Sequence, residues 1–418
     1  MSAARNYAIV TAAYWGFTLS DGALRMLVLL HFFRLGYSPL TLAFLFLLYE
    51  AAGILANLIG GWLATHFGIA RMLMVGLATQ IAGFLMMSAL MPDWSAALSV
   101  AWVVMAQGIC GIAKDLTKTA SKSAIKLTAD AASAGNGSHV LFRWVAWFTG
   151  SKNAMKGAGF FLGGLLLEVL GFRLALWVMA AILALILIGV FVSLPPLMGK
   201  ARASQSAREF FAKGHGVNLL AAARVFLFGA RDVWFVVGLP IFLYGAGWSF
   251  TMVGSFLALW TIGYGLVQAL APALVKGGGK DGNAAITAAR GWSLLLAIIP
   301  ALMAAWLMGG GAQPVTVVVT GLLLFGIAFA VNSSVHSYLI LAYAGSEKAA
   351  EDVGFYYAAN AAGRFTGTLL SGLLYGWGIA WNWGGIEACL AGSAAMLAAC
   401  WLITLALPPV KDRTARPA

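Results

Sequence analysis

Charge is what this sequence has least of. Asp, Glu, Lys and Arg together make up 10% of its 418 residues, against about 25% in a soluble domain. With 61% hydrophobic residues and a mean hydropathy of +0.89, that scarcity excludes a soluble fold. Cysteine is nearly absent: Cys110, Cys389 and Cys400 lie in apolar stretches and form no CxxC pair. No thiolate metal site is predicted, and the three read as small buried hydrophobes. No G-x-x-x-x-G-K-[ST] occurs; the nearest piece, "KGGGKDG" at 276–282, lacks the spacing and the hydroxyl residue, so the chain is not itself an ATPase. No histidine has an aspartate five residues on, and the loops are too short for a soluble catalytic domain. Neither an enzyme nor a cofactor is expected. The opening "MSAARNYAIV" runs straight into an apolar stretch with no small-residue cleavage site, which predicts no cleaved leader.

What is abundant is the apolar run. Stretches of 18 or more such residues recur along the chain, the signature of membrane-spanning helices and not of barrel strands. Twelve spans are predicted, at 7–33, 40–65, 71–91, 95–121, 144–170, 173–196, 217–244, 250–275, 288–309, 315–343, 353–376 and 384–407. Lys and Arg mark the cytoplasmic side. With the N-terminus inside, sixteen fall in inside segments (among them Arg71, Lys122, Lys126, Arg143, Lys200 and Arg208) and only Arg34 and Arg173 outside. Both termini are therefore expected in the cytoplasm of a bacterial inner-membrane protein. Because the positive charge is spread along the inner face of a membrane protein, the formal net charge of +12 does not imply nucleic acid.

The polar stretch 197–216 separates an N-terminal six-helix bundle, 1–196, from a C-terminal one, 217–418, that ends in a short basic tail. The halves resemble each other. A shift of 211 residues lays Asp21 on Asp232, Gly36 on Gly247, Tyr37 on Trp248, Ser38 on Ser249 and Tyr49 on Trp260. A shift of 208 lays Lys156 on Arg364, Gly159 on Gly367 and Gly164 on Gly372. An all-α polytopic protein of twelve transmembrane helices in two pseudo-symmetric bundles resembles the major facilitator architecture. "GGWLATHFGIAR" (60–71) is similar to that family's loop between helices 2 and 3, with Thr65 where the family usually has Asp; "GFFLGG" (159–164) is similar to its exporter motif on helix 5, with Phe160 in place of Pro.

Eight cations fall within the spans: Arg25, Lys114, Lys118, Lys152, Lys156, Arg224, Arg231 and Arg364. Four acids join them: Asp21, Glu50, Asp115 and Asp232. At roughly 2.5–3.5 kcal/mol each, twelve charges facing lipid would cost about 30 kcal/mol, more than the roughly 5–15 kcal/mol that holds a protein folded. They must face a wet cavity or one another. Eight minus four leaves four cations, and counting the end-lying Glu168 and Glu387 as well still leaves two, which suits an anionic cargo. Asp21 and Arg25 are placed i,i+4 to pair; Lys152 and Lys156 have the same spacing with Asn153 between, as do Lys114 and Lys118, and Asn332 with His336. Arg25, Lys114, Lys118, Lys152, Asn153, Lys156, Arg231, Asn332, His336 and Arg364 are the candidate substrate contacts, and Asp21, Glu50, Asp115 and Asp232 the candidate coupling or gating groups. The alternatives stay open: Asp21/Arg25 and Arg231/Asp232 also read as structural ion pairs, Glu50 as a structural hydrogen bond, and His336 as a polar core residue. Arg224 lies near the inner end of its span, where it is expected to snorkel. At about 1.5 Å per residue from Ser95, Lys114 and Lys118 reach the inner mouth of a core of roughly 30 Å, whereas Lys122 and Lys126 lie beyond it and serve orientation.

Four longer strings, "AAYWGFTLSDGALRMLVLLHF", "GIAKDLTKTASKSA", "TGSKNAMKGAGFFLGG" and "FGARDVWFVVGLPIFLY", resemble the ArsJ-type organoarsenical efflux permeases, a major facilitator branch. The resemblance implies export of 1-arseno-3-phosphoglycerate, made when glyceraldehyde-3-phosphate dehydrogenase takes arsenate in place of phosphate, with that dehydrogenase as functional partner and arsenate resistance as the outcome. Transport is expected by alternating access around a cationic cavity in a monomer, with proton coupling through Asp21, Glu50 or Asp232. A general organic-phosphate or other organic-anion exporter of the same fold is the alternative. A membrane sensor or enzyme would need an output or catalytic domain that the sequence does not contain.

Overall fold

The computed structural model describes residues 3–195, 214–274, 282–343 and 349–410, without the side chains of 3, 4, 7, 56–67, 122–150, 272–274, 282, 341 and 349–354. Residues 197–213 of the linker read at 197–216, the basic tail from 411, the side chains of Thr65, Lys122, Lys126 and Arg143, and most side chains of the "GGWLATHFGIAR" motif therefore lie outside the description. Among the described residues the regular structure is helical throughout: α1 (Ala3–Arg34), α2 (Pro39–Phe67), α3 (Ile69–Ser88), α4 (Ala96–Ser193), α5 (His215–Phe235), α6 (Gly238–Gly245), α7 (Phe250–Leu274), α8 (Gly282–Met308), α9 (Pro314–Tyr343), α10 (Ala349–Ala380) and α11 (Gly385–Leu405). Nine stretches among them are long and apolar enough to cross a bilayer; this is a multi-pass membrane protein.

Local chemistry sets the boundaries. Pro39 and Pro314 open α2 and α9, where a missing N–H goes unnoticed. The Ser95 side chain accepts from the Leu98 amide at the start of α4, the ordinary N-cap. Helical backbone continues through 122–143, where the sequence reading placed an inside segment. The stretch 151–193 covers two predicted spans, and Gly171 between them has φ 74°, a left-handed conformation only glycine adopts freely. The predicted span 217–244 is two helices, because Pro240 cannot donate to the carbonyl of Val236 and its ring crowds it. The freed amides of Val237 and Gly238 both donate to Ser371 Oγ of α10, at 3.2 and 3.1 Å.

The chain divides into two compact units. The first comprises Met1–Tyr37, Phe44–Ser204 and Gly247–Ile262; the second comprises Ser38–Ala43, Gln205–Ala246 and Gly263–Ala418. In the first, the later part of α4 meets α1 backbone to backbone. A Cβ on Gly22 would stand 2.7 Å from the Lys156 carbonyl, and one on Gly159 would stand 3.0 Å from Gly22 Cα. Gly163 and Gly164 are equally confined, against Ala23 and Phe250, which gives "GFFLGG" a packing reason. In the second unit α10 meets α5 the same way: a Cβ on Gly367 would stand 2.9 Å from Gly229 Cα and from Asp232 Cβ. Arginines cap two helix C-termini in matching fashion. Arg173 donates to the carbonyls of Ser88 and Leu90 at 2.9 and 3.4 Å, and Arg290 to those of Thr404 and Leu405 at 3.2 and 3.0 Å, where a cation suits the negative end of the helix dipole. All three cysteines are buried and free, as apolar surroundings predict.

Candidate functional site

In the first unit, α1, α2 and α4 bring six of the predicted residues to one place. Arg25, 6% exposed, pairs with Oε1 of Glu50, itself 1% exposed. Lys114 Nζ lies 4.0 Å from the other oxygen, Oε2. One carboxylate from α2 thus faces a guanidinium from α1 and an ammonium from α4. The Arg25 charge is answered from the next helix, where spacing alone pointed to Asp21 on its own helix; the Asp21 carboxylate accepts from the Tyr49 hydroxyl at 2.6 Å. Beyond Lys114 the Lys118 ammonium lies 3.2 Å from Asp115 Oδ1. Asp115 Oδ2 is buried without a hydrogen-bond partner, facing Gly53, where a Cβ would stand 3.2 Å from it and 3.5 Å from Lys114 Nζ.

Tyr49 joins this cluster although sequence reasoning passed it over. Its ring carries Lys114 Nζ at 3.8 Å and Arg25 Cζ at 5.3 Å from the centroid, while its hydroxyl holds Asp21. An aromatic at helical spacing in an apolar span reads as packing; only its alignment with Trp260 across the internal repeat set it apart. Tyr49→Phe removes one buried hydrogen bond and should cost about 1 kcal/mol. Tyr49→Leu also removes the ring face from two cations and should cost about 1–2 kcal/mol more. Melting of the purified protein ranks the two; equal losses would assign the cations no hold from the ring.

Lys152, Asn153 and Lys156 lie half-buried on α4. The backbone of Lys156 abuts Gly22, next to Asp21, and its ammonium lies 5.6 Å from the Phe160 ring centroid. Trp15 donates to Ser151 Oγ at 3.0 Å, anchoring this stretch to α1.

In the second unit one carboxylate again holds two cations. Asp232, 1% exposed, takes Arg231 on Oδ1, with Nη2 at 2.5 Å and Nε at 2.7 Å, and Arg364 Nε of α10 on Oδ2 at 3.3 Å. Phe228, Phe235 and Phe329 surround the Arg231 guanidinium at 4.9, 5.9 and 5.5 Å. Asn332 and His336 are not part of this cluster. Both are fully buried on α9, His336 close to Arg224 of α5 and Asn332 bonded to Ser293 Oγ of α8 at 3.0 Å. Arg224 does not snorkel: it is 4% exposed, donates to the Ser333 carbonyl at 3.2 Å, and lies 4.1 Å from the Phe228 ring centroid and 4.8 Å from that of Tyr356. Two aromatic faces stabilise the charge where it is, so its long stem is not used to reach water.

The twelve charges read within the spans divide evenly. The first unit holds Arg25, Lys114, Lys118, Lys152 and Lys156 against Asp21, Glu50 and Asp115; the second holds Arg224, Arg231 and Arg364 against Asp232. Five minus three and three minus one both leave two positive charges. Among the described residues no group of His, Cys, Asp and Glu is placed to hold a metal ion.

No family model and no curated protein matches the chain. Solved structures do. A variant of the nucleoside transporter NupG superposes with a TM-score of 0.73 at 14% identity, over 97% of this chain and 100% of that one. The human organic anion transporter MFSD10 superposes at 0.62 and 18% identity, over 96% and 99%. The peptide transporter POT in complex with sulfate superposes at 0.70 and 16% identity, over 96% and 93%. The chain has the polytopic helical fold of the major facilitator transporters.

Proposed function

We propose that this chain is a secondary transporter that exports a doubly anionic phosphorylated organoarsenical, 1-arseno-3-phosphoglycerate, across the bacterial inner membrane and thereby confers arsenate resistance. The observation that carries the anionic cargo is that in each unit one buried carboxylate faces two cations, which leaves one positive charge over in each frame: Glu50 with Arg25 and Lys114, Asp232 with Arg231 and Arg364. A cargo with a phosphate at one end and an arsenate ester at the other has two oxyanion heads to match. Arg presents a fork to two such oxygens and Lys a point charge. The arsenical itself is supported by the four sequence strings that resemble the ArsJ-type permeases. The organic anion transporter named above shares the fold and lends the wider class of cargo plausibility without choosing within it. In this reading Asp21, Glu50 and Asp232 are the acids on which proton entry acts.

The test is co-expression with glyceraldehyde-3-phosphate dehydrogenase in arsenate-sensitive cells. Resistance should rise, and Lys114→Ala combined with Lys156→Ala should abolish it while the protein still reaches the membrane. Resistance that does not rise, or that survives the double substitution, overturns the reading. Uptake into everted vesicles that 3-phosphoglycerate blocks fully without arsenate identifies a general organic-phosphate exporter instead, and uptake indifferent to collapse of the proton gradient removes proton coupling.

A further inference from the structure

We propose that Arg224, Ser333, His336 and Asn332 form a second, buried subsite in the C-terminal unit that takes one tetrahedral oxyanion head of the cargo. The inference rests on the anion-transport reading above and adds a station that the carboxylate-centred clusters do not contain. Arg224 is 4% exposed and, among the described residues, pairs with no carboxylate. A lone buried cation is costly unless something anionic or strongly accepting meets it, and one carbonyl and two ring faces leave its Nε without an acceptor. The groups beside it are also unsatisfied. Ser333 Oγ, both ring nitrogens of His336 and Asn332 Oδ1 are buried, fully inaccessible and without hydrogen-bond partners. Buried polar groups are paired in the great majority of cases, so orphans on four neighbouring side chains mark a place built for something else to bind.

The chemistry selects the ligand class. The only formal charge in the group is positive, which excludes a metal cation. Arg Nε–H, the Ser333 hydroxyl and a His336 ring N–H are donors; the Asn332 amide donates to Ser293 Oγ at 3.0 Å, which leaves its Oδ1 to accept from a protonated oxygen of the ligand. Such a set suits a phosphate or arsenate ester and its several acceptor oxygens. Arg224, Phe228 and Arg231 stand at i, i+4 and i+7, one face of α5, and both guanidiniums lie over the Phe228 ring, at 4.1 and 4.9 Å. The Phe228 ring thus touches both the subsite and the Arg231–Asp232–Arg364 cluster, and in this proposal it is the side chain whose rotation joins them.

The experiment is a titration of the purified full-length protein, in vesicles of fixed zwitterionic lipid, with inorganic phosphate and with 3-phosphoglycerate, followed by calorimetry. Fixed lipid assigns any response to the soluble anion and not to a headgroup. The wild type should bind both. Arg224→Gln and His336→Gln should each weaken binding by about ten- to hundredfold, the worth of a charge-assisted hydrogen bond, and Arg224→Lys should restore it only in part. Should Arg224→Gln not fold, His336→Gln and Ser333→Ala, which keep the arginine, decide the matter. Unchanged affinity in the folded variants, or a lower melting temperature with affinity intact, overturns the subsite and leaves the transport reading standing. Absence of binding in the wild type overturns the subsite, and if the resistance assay is also negative, the transport reading falls with it.

Discussion

Asp232→Asn is expected to destabilise the protein by about 3–5 kcal/mol, the range for breaking a buried ion pair from one side. The carboxylate is 1% exposed and faces two guanidiniums, whose side chains are 14% and 19% exposed. The amide keeps the shape and one acceptor but leaves Arg231 and Arg364 with no anion between them, 3.3 Å or less from its position. The loss should appear as a large fall in melting temperature of the detergent-solubilised protein, or as absence from the membrane fraction. Asp232→Glu, which keeps the charge on a longer stem, should recover part of it. Glu50→Gln is the counterpart in the first unit and should behave alike, since Glu50 is the carboxylate facing both Arg25 and Lys114. Losses below about 1 kcal/mol, the range of exposed pairs, would show that the two acids are not what holds the cations in place.

Gly159→Val should be as severe for a different reason. A Cβ at this position would stand 3.0 Å from Gly22 Cα and 3.1 Å from the Ala23 amide nitrogen, and backbone cannot rotate aside as a side chain does. Overpacking in a core costs about 1–3 kcal/mol when side chains can adjust, and more when they cannot; about 3 kcal/mol or more is expected here. The substitution also drives α1 from α4, and with it Asp21 and Arg25 from their partners. Gly367→Val should do the same between α10 and α5, beside Asp232. Melting temperature and transport are predicted to fall together in both, whereas Gly189→Val, where a Cβ has open space, should be silent. A tolerated Gly159→Val would mean that the close approach of α1 and α4 is not required.

Many helix ends were legible because lipid leaves so few choices: an apolar run of sufficient length, ended by Gly, Pro or a cap, marks a span; the unbroken helical backbone of α4 through 122–143 was not legible. What spacing could not supply was the partner across the gap. The i,i+4 rule pointed Arg25 at Asp21, yet its partner Glu50 sits one helix away, in a register that tertiary packing sets. Arg224 was misjudged because its depth favoured a snorkelling stem, while the rings that hold it, Phe228 and Tyr356, are 4 and 132 residues distant in sequence. Pro240 signals a break, but an apolar run that continues past it read as one span. Glycine spacing, by contrast, carried over directly: the pairing of Gly159 with Gly367 across the internal repeat corresponds to a backbone contact in each unit.

The joint between α5 and α6 has a consequence for motion. An unbroken helix resists bending because each degree of tilt stretches its own amide–carbonyl ladder. Here two rungs have been handed to a hydroxyl on another helix, and a hydroxyl oxygen accepts over a broad range of directions. The Asp232 arm and the Pro240 arm can therefore swivel about Ser371 as about a ball in a socket, with both amides still satisfied, so long as α10 moves with them.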